Sequence, residues 1–195
     1  MNTTNQNILL LLLKDFSTSY TPSIIAKTLH KSRWGIWKNL REMEQQELIT
    51  LHTTGTGKTS TRIIKIRWTP LTQKTLSFAL AQESAQQKRW QFTFAEIEST
   101  VDFFVLYGST IHALKNAGDI DVFSVSKEKK MPTIRERIQI IQKTQEKNIH
   151  VINFTEKEFT QELKNSNNVF IDALKKGTVL FGQDEFVQFI KRVHQ

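Results

Sequence analysis

Charge divides this 195-residue chain into two unlike halves. Residues 1–90 carry 13 Lys and Arg against 5 Asp and Glu, whereas residues 91–195 carry 14 against 14, so the whole net charge of +8 belongs to the first half. A basic half beside a neutral one points to two domains, of which only the first meets a polyanion, most often nucleic acid. The 38% hydrophobic content is enough for one good core or two small ones over this length. The chain contains no cysteine, which excludes disulfides, thiolate zinc sites and cysteine nucleophiles, and a cytoplasmic protein is expected. The apolar run Ile8–Leu13 is too short to cross a membrane and lacks the flanks of a signal peptide, so it reads as a buried first helix, with no membrane partner.

Two helix starts follow in quick succession. Thr21 before Pro22 is an N-cap with proline at the first helical position, and Ser32 caps a second helix a short turn later. In that second helix Ile36, Leu40 and Met43 fall at i, i+4 and i+7 and are expected in the core, leaving Arg33, Trp34, Trp37, Lys38 and Arg41 on or near the outward face. Residues 49–53 and 61–68 are rich in β-branched residues and flank the Gly-containing turn "TGTGKTS", which predicts a hairpin. The same turn imitates a phosphate-binding P-loop, but that pattern needs glycine where His52 stands, and it lies within a hairpin instead of between a strand and a helix.

Helix, turn, helix and hairpin in this order resemble the winged-helix DNA-binding domains of prokaryotic regulators. The resemblance implies double-stranded DNA as a partner, with Ser32, Arg33, Trp34, Trp37, Lys38 and Arg41 of the second helix at the major groove and Lys58 and Arg62 as cations of the wing. Trp is not a usual base-reading residue, so packing of Trp34 and Trp37 on a neighbouring helix or a dimer partner stands beside this reading. So does a protein-binding role for the whole module.

From Thr69 and Pro70 to Ser99 the chain is free of glycine and rich in Ala, Gln and Glu, which predicts one long or two consecutive helices. Leu71, Phe78, Leu80, Trp90, Phe92, Phe94 and Ile97 are too many apolar residues for a solvated linker, and a homodimer formed through this connector is expected.

In the second half "VDFFVLYGS" reads as a buried strand running into a turn, and "DIDVFSVS" as a strand with two acids at its head. Side chains alternate along a strand, so Asp119 and Asp121 project to one face. Two such carboxylates can hold a hard divalent cation, and magnesium bridges carboxylates to the phosphates of a nucleotide. Gly108 allows close approach of the backbone to phosphate, and Ser109, at the start of a helix expected over residues 110–115, adds a hydroxyl and an N–H. His112 and Lys115 lie between, where a cation meets phosphate or simply faces solvent.

Strand, Gly108-Ser109, nine residues, Asp119-x-Asp121 and strand again is similar to the signature of the polymerase-β nucleotidyltransferase superfamily, its minimal branch in particular. The resemblance covers residues 95–195. A helix over 131–147, a third strand over 148–154, a helix opened by the capping box Thr155-x-x-Glu158, and a final helix, short strand and helix complete it. Prokaryotes, archaea especially, join such a domain to an N-terminal winged helix. The expected fold class is therefore α+β: a winged helix-turn-helix over 1–68, a helical connector over 69–99, and a nucleotidyltransferase-like α/β domain with a small mixed sheet over 100–195.

The resemblance implies Mg2+ as cofactor, a nucleoside triphosphate such as ATP as substrate, Asp119 and Asp121 as catalytic metal ligands, and Gly108 and Ser109 as nucleotide-binding residues. It also implies a protein acceptor, often a small helical HEPN-type RNase toxin to which the enzyme acts as antitoxin. Catalytic members carry a third carboxylate on a following strand, and "NIHVINF" has none; His150 and Asn153 are its polar members, with Glu156 and Glu158 just beyond. Two readings stay open, beside a third in which the winged helix guides the second domain to an RNA or protein target. One is a transferase moving a nucleoside monophosphate to an acceptor hydroxyl. The other is a non-catalytic DNA-binding regulator whose degenerate second domain binds a nucleotide or a partner protein.

Overall fold

The computed structural model describes residues 2–15, 17–56, 60–111, 118–165 and 167–193. The fold is α+β, with one two-stranded antiparallel sheet and one mixed four-stranded sheet. The chain divides into two compact units, Met1–Ala79 and Leu80–Gln195. The division falls inside the region expected as connector, within the helix Pro70–Ser84.

In the first unit, helix α1 (Thr3–Lys14) starts at Asn2, whose side chain accepts a hydrogen bond from the Asn5 N–H at 2.8 Å. The leucine run lies within it, and Ile8, Leu9 and Leu13 are fully buried. Thr21 Oγ1 accepts from the Ile24 N–H at 3.3 Å and opens α2 (Pro22–Thr28); Ser32 Oγ accepts from the Gly35 N–H at 3.1 Å and opens α3 (Arg33–Gln45). Each cap satisfies a donor that has no partner inside its helix. Ile36, Leu40 and Met43 are buried, as their spacing requires. Strands β1 (Ile49–Thr54) and β2 (Thr61–Ile66) form an antiparallel hairpin in register from Ile49 opposite Ile66 to Thr54 opposite Thr61.

A buried polar knot ties these parts together. The Asp15 carboxylate, at the end of α1, accepts hydrogen bonds from the hydroxyls of Ser17 (2.8 Å), Thr18 (3.0 Å) and Tyr20 (2.7 Å), and the Ile64 N–H of β2 donates to the Tyr20 carbonyl at 2.9 Å. Burial of the Tyr20 phenol, with its hydrogen bond to a carboxylate, pushes its pKa above the ordinary 10.0. A raised pKa means that the folded state holds the phenolic proton more tightly, so this stabilisation is complete below pH 10.0 and declines as pH rises beyond it. Tyr20→Phe is expected to lower unfolding stability by about 1.5–3 kcal/mol, the range for a hydrogen bond to a charged group. Urea unfolding at neutral and alkaline pH checks both points, because the variant loses the alkaline decline that Tyr20 contributes.

In the second unit, the end of α4 (Pro70–Ser84) is followed by α5 (Lys88–Thr93) and a 3₁₀ turn, Ala95–Thr100. Then come β3 (Phe103–Tyr107), a 3₁₀ turn Ser109–Ile111, β4 (Ile120–Val125), α6 (Met131–Gln142), β5 (Ile149–Phe154), α7 (Glu156–Lys164), α8 (Asn168–Lys176), β6 (Thr178–Phe181) and α9 (Gln183–Val193). The sheet order is β5-β4-β3-β6, with β4 and β5 parallel and the other pairs antiparallel. The parallel pair follows from the crossover through α6. Near-continuous apolar sequence in β3 and β4 buries both faces. Phe104, Leu106, Ile120 and Val122 pack with Trp90, Phe94, Ile97 and the α6 residues Ile134, Ile138 and Ile141. On the opposite face Phe103 and Phe123 meet the rings of Phe159, Phe170, Phe186 and Phe189 from α7, α8 and α9.

Three expectations change. Helix α6 ends at Gln142, not at 147, because the Gln142 amide donates to the Lys147 carbonyl (3.0 Å) and accepts from the Ile149 N–H (2.7 Å), closing a turn that feeds β5. Of the helix expected over 110–115, the described part is the 3₁₀ turn Ser109–Ile111, and residues 112–117, with His112 and Lys115, lie outside the described residues. In the connector Leu80, Trp90, Phe94 and Ile97 are buried, but Leu71, Phe78 and Phe92 are exposed. No helix among the described residues is long and apolar enough to cross a membrane.

Candidate functional site

In the second unit the polar constellation gathers where β3 ends and β4 begins. Tyr107 and Asp121 are antiparallel partners, so the residue after Tyr107 lies beside the Asp121 side chain. Gly108 has φ +79°, and a Cβ built there would stand 2.5 Å from Asp121 Oδ2. Both the backbone conformation and the space demand glycine. Ser109 is exposed, and the buried Thr110 hydroxyl donates to the Asp119 carbonyl at 2.7 Å, tying the turn to the segment that leads into β4.

Asp119 and Asp121 face one side. Both approach the same imidazole nitrogen: His150 Nδ1 lies 4.0 Å from Asp119 Oδ2 and 3.7 Å from Asp121 Oδ1. His150 reaches them because β5 runs parallel to β4 with His150 opposite Asp121. Burial, and then the negative charge of Asp121, raise the pKa of the Tyr107 phenol on the inner side of the site. The aspartates are part-exposed, so the site is open to solution.

The other polar candidates of this region are engaged elsewhere. Asn153 turns to the opposite sheet face, where its Oδ1 accepts from the Ser124 hydroxyl at 2.7 Å. Glu156 pairs with Arg192 Nε at 2.8 Å. Glu158 forms the capping box: it accepts from the Thr155 N–H (2.7 Å) and hydroxyl (2.8 Å), which hold its carboxyl below the usual range, while its own N–H donates to Thr155 Oγ1. Among the described residues no group of three or more His, Cys, Asp or Glu side chains is arranged to hold a metal ion. The two carboxylates nevertheless suit a hard cation that takes its remaining ligands from water and phosphate oxygens.

In the first unit Arg33, Trp34, Trp37, Arg41 and Arg62, all expected at nucleic acid, share a surface. Ser32 is used as the α3 cap, and Arg33, Lys38 and Arg41 are exposed on that helix. Trp34 is 76% exposed. Trp37 is half-buried beneath two guanidinium groups, Arg62 of β2 at 4.7 Å and Arg41 at 5.5 Å from its ring centre. Lys58 lies outside the described residues. Sequence reasoning missed the floor of this surface: Pro22 and Ser23 of α2 and Ser60 and Thr61 at the start of β2 join Trp34 and Trp37 around a cleft of about 420 Å³. No local pattern marks them, since only the tertiary fold brings α2 and β2 to α3.

Gly108→Ala is expected to lower stability by about 1–2 kcal/mol, the cost of forcing an L residue into a left-handed conformation. Gly118 has no neighbour within 4 Å of its built Cβ and no such conformation, so Gly118→Ala should stay within about 0.5 kcal/mol of the parent. Paired urea titrations separate the two.

No model of a known protein family matches this sequence, and no curated protein matches it.

Proposed function

We propose that this chain is a magnesium-dependent nucleotidyltransferase with an N-terminal winged helix-turn-helix domain. The observation that carries the reading is the packing of the Gly108 backbone against the Asp121 carboxylate, with Asp119 on the same side and Ser109 exposed beside it. Carboxylates that can share a cation, beside an exposed Gly-Ser turn that offers backbone N–H and hydroxyl, suit a cation-bound phosphate chain. The strand order β5-β4-β3-β6, with Asp121 on a central strand and Asp119 just before it, supports the same reading.

In the proposed reaction an acceptor hydroxyl oxygen forms a bond to the α-phosphorus of a nucleoside triphosphate, ATP being the first choice. The bond from that phosphorus to the bridging oxygen breaks, pyrophosphate leaves, and the hydroxyl proton passes to solvent. Asp119 and Asp121 hold the cation. Magnesium, when bound, neutralises phosphate charge and stabilises the leaving oxygen. Gly108 and Ser109 orient the phosphates through backbone N–H and hydroxyl. The acceptor is a hydroxyl of a partner protein, in the manner of an antitoxin acting on a HEPN-type toxin. The exposed Leu71 and Phe78, one helical repeat of seven apart on α4, are the candidate homodimer contact. The α2-turn-α3 pair followed by the β1–β2 hairpin, with its basic surface, is the candidate contact for double-stranded DNA.

One observation favours a second reading, a DNA-binding regulator that binds the nucleotide without turning it over. Glu156 and Glu158 are both committed elsewhere, so among the described residues the third position at the aspartates is held by His150.

Incubation with labelled ATP, CTP, GTP or UTP, Mg2+ and acceptor protein is expected to release pyrophosphate and label the acceptor. The Asp119→Ala, Asp121→Ala double variant should abolish both. Nucleotide binding without pyrophosphate, across all four nucleotides and plausible acceptors, would establish the regulator instead. Binding to duplex DNA is expected to fall steeply with salt: if Arg33, Lys38, Arg41, Lys58 and Arg62 each neutralise one phosphate, the logarithmic slope is about −4.5, or roughly 500-fold between about 50 and 200 mM salt. Salt-insensitive or absent binding would remove the DNA assignment.

A further inference from the structure

The feature of the first unit that groove reading leaves unexplained is Trp34. A large indole is 76% exposed at the second position of α3, on the rim of the 420 Å³ cleft, whereas Trp37 is half-buried and Trp90 of the second unit is 3% exposed. Its position suits direct readout poorly. Indole has one N–H donor and no acceptor, so it cannot form the two-pronged contacts by which side chains distinguish base edges in the major groove. Its broad face matches the face of a base, and a base exposes that face only after leaving the stack.

The surroundings select a polyanion as occupant. Arg33 and Arg62 line the cleft with Trp34 and Trp37, and among the described residues no Asp or Glu lines it. Arg41 stands against Trp37 from the α3 side. The same cleft of a second copy would meet it with like charge, guanidinium against guanidinium, and is disfavoured as the occupant. A nucleic-acid strand instead pairs its phosphates with the guanidinium groups while one base enters the cleft. The volume falls in the range of about 300–1,000 Å³ common for small-ligand sites. Trp37, with the guanidinium groups of Arg41 and Arg62 at 5.5 and 4.7 Å from its ring centre, forms a wall of the cleft, and Ser60 and Thr61, which also line it, bring hydroxyl-bearing side chains to a bound base.

We infer that this cleft takes one unpaired base of DNA, stacked on Trp34, so that the first unit prefers locally opened DNA to a perfect duplex. The inference rests on the reading of that unit as a DNA-binding module and deepens it: the duplex supplies phosphate contacts, and an unstacked base supplies the recognition.

The test uses the full chain, a short duplex, the same duplex with a central run of unpaired bases, and an RNA copy of the opened form, at one fixed salt concentration. The opened DNA should bind roughly 10- to 100-fold more tightly than the perfect duplex, the range given by one base stacked on an aromatic ring, and should quench indole emission. Trp34→Ala should remove that preference, bringing opened and perfect duplex to equal affinity by weakening the opened form more, while Trp34→Phe keeps most of it. Because Trp34 is exposed, both variants should unfold at the parental urea midpoint, which separates loss of the site from loss of the fold. Equal binding of opened and perfect duplex by the parent overturns the inference alone, as does an equal weakening of both by Trp34→Ala. Tighter binding of the RNA form overturns the assignment to DNA. Absence of binding to any of the three overturns the DNA-binding reading itself, and the inference with it.

Discussion

The pairing of β3 with β4 is the constraint on which the second unit depends. From Phe103 opposite Val125 to Tyr107 opposite Asp121, both strands present apolar side chains to both faces of the sheet, and helices cover each face. Register in such a pair is strongly specified, because a slip of one residue sends every side chain to the opposite face. Here a slip would drive Asp121 into the layer occupied by Ile120, Val122 and Phe94, where an unpaired carboxylate is costly. The core therefore holds the aspartates at the solvent-facing end where β4 begins, and the same register brings Gly108 against the Asp121 carboxylate. The geometry of the candidate site is a consequence of hydrophobic packing several residues away.

Around that site the polar residues sort by what the helices require. The capping box takes Glu158, and an ion pair with the last helix takes Glu156. Among the described residues His150 stands beside the aspartates, placed by the parallel β4–β5 ladder. A histidine stands there in place of a third carboxylate, and this is where the transferase and regulator readings part.

The first unit follows a different logic. Its hydrophobic stripe, Ile36, Leu40 and Met43, fixes α3 on the core, and the knot at Asp15 and Tyr20 joins the end of α1 to β2. What the stripe does not use becomes the surface: Arg33, Trp34, Lys38 and Arg41 outward, with Trp37 half-buried against Arg41 and Arg62. A basic surface with an exposed aromatic ring suits a ligand that has both phosphates and planar bases.

Much of this was determined by sequence alone. The caps at Thr21, Ser32 and Thr155, the i, i+4, i+7 stripe of α3, the hairpin and the apolar strands flanking Gly108-Ser109 and Asp119-x-Asp121 all rest on local chemistry, on hydrogen bonds within a turn or on a short period, and each is legible within a few residues. Only the tertiary structure decided that α6 stops at Gln142, that His150 and not Asn153 faces the aspartates, that Glu156 and Glu158 are spent on Arg192 and Thr155, and that Pro22 and Thr61 meet Trp34 around a cleft. Those outcomes depend on strand register and on side chains distant in sequence competing for the same partner. Periodicity and motif describe what a segment offers; which neighbour accepts the offer is settled when the elements pack.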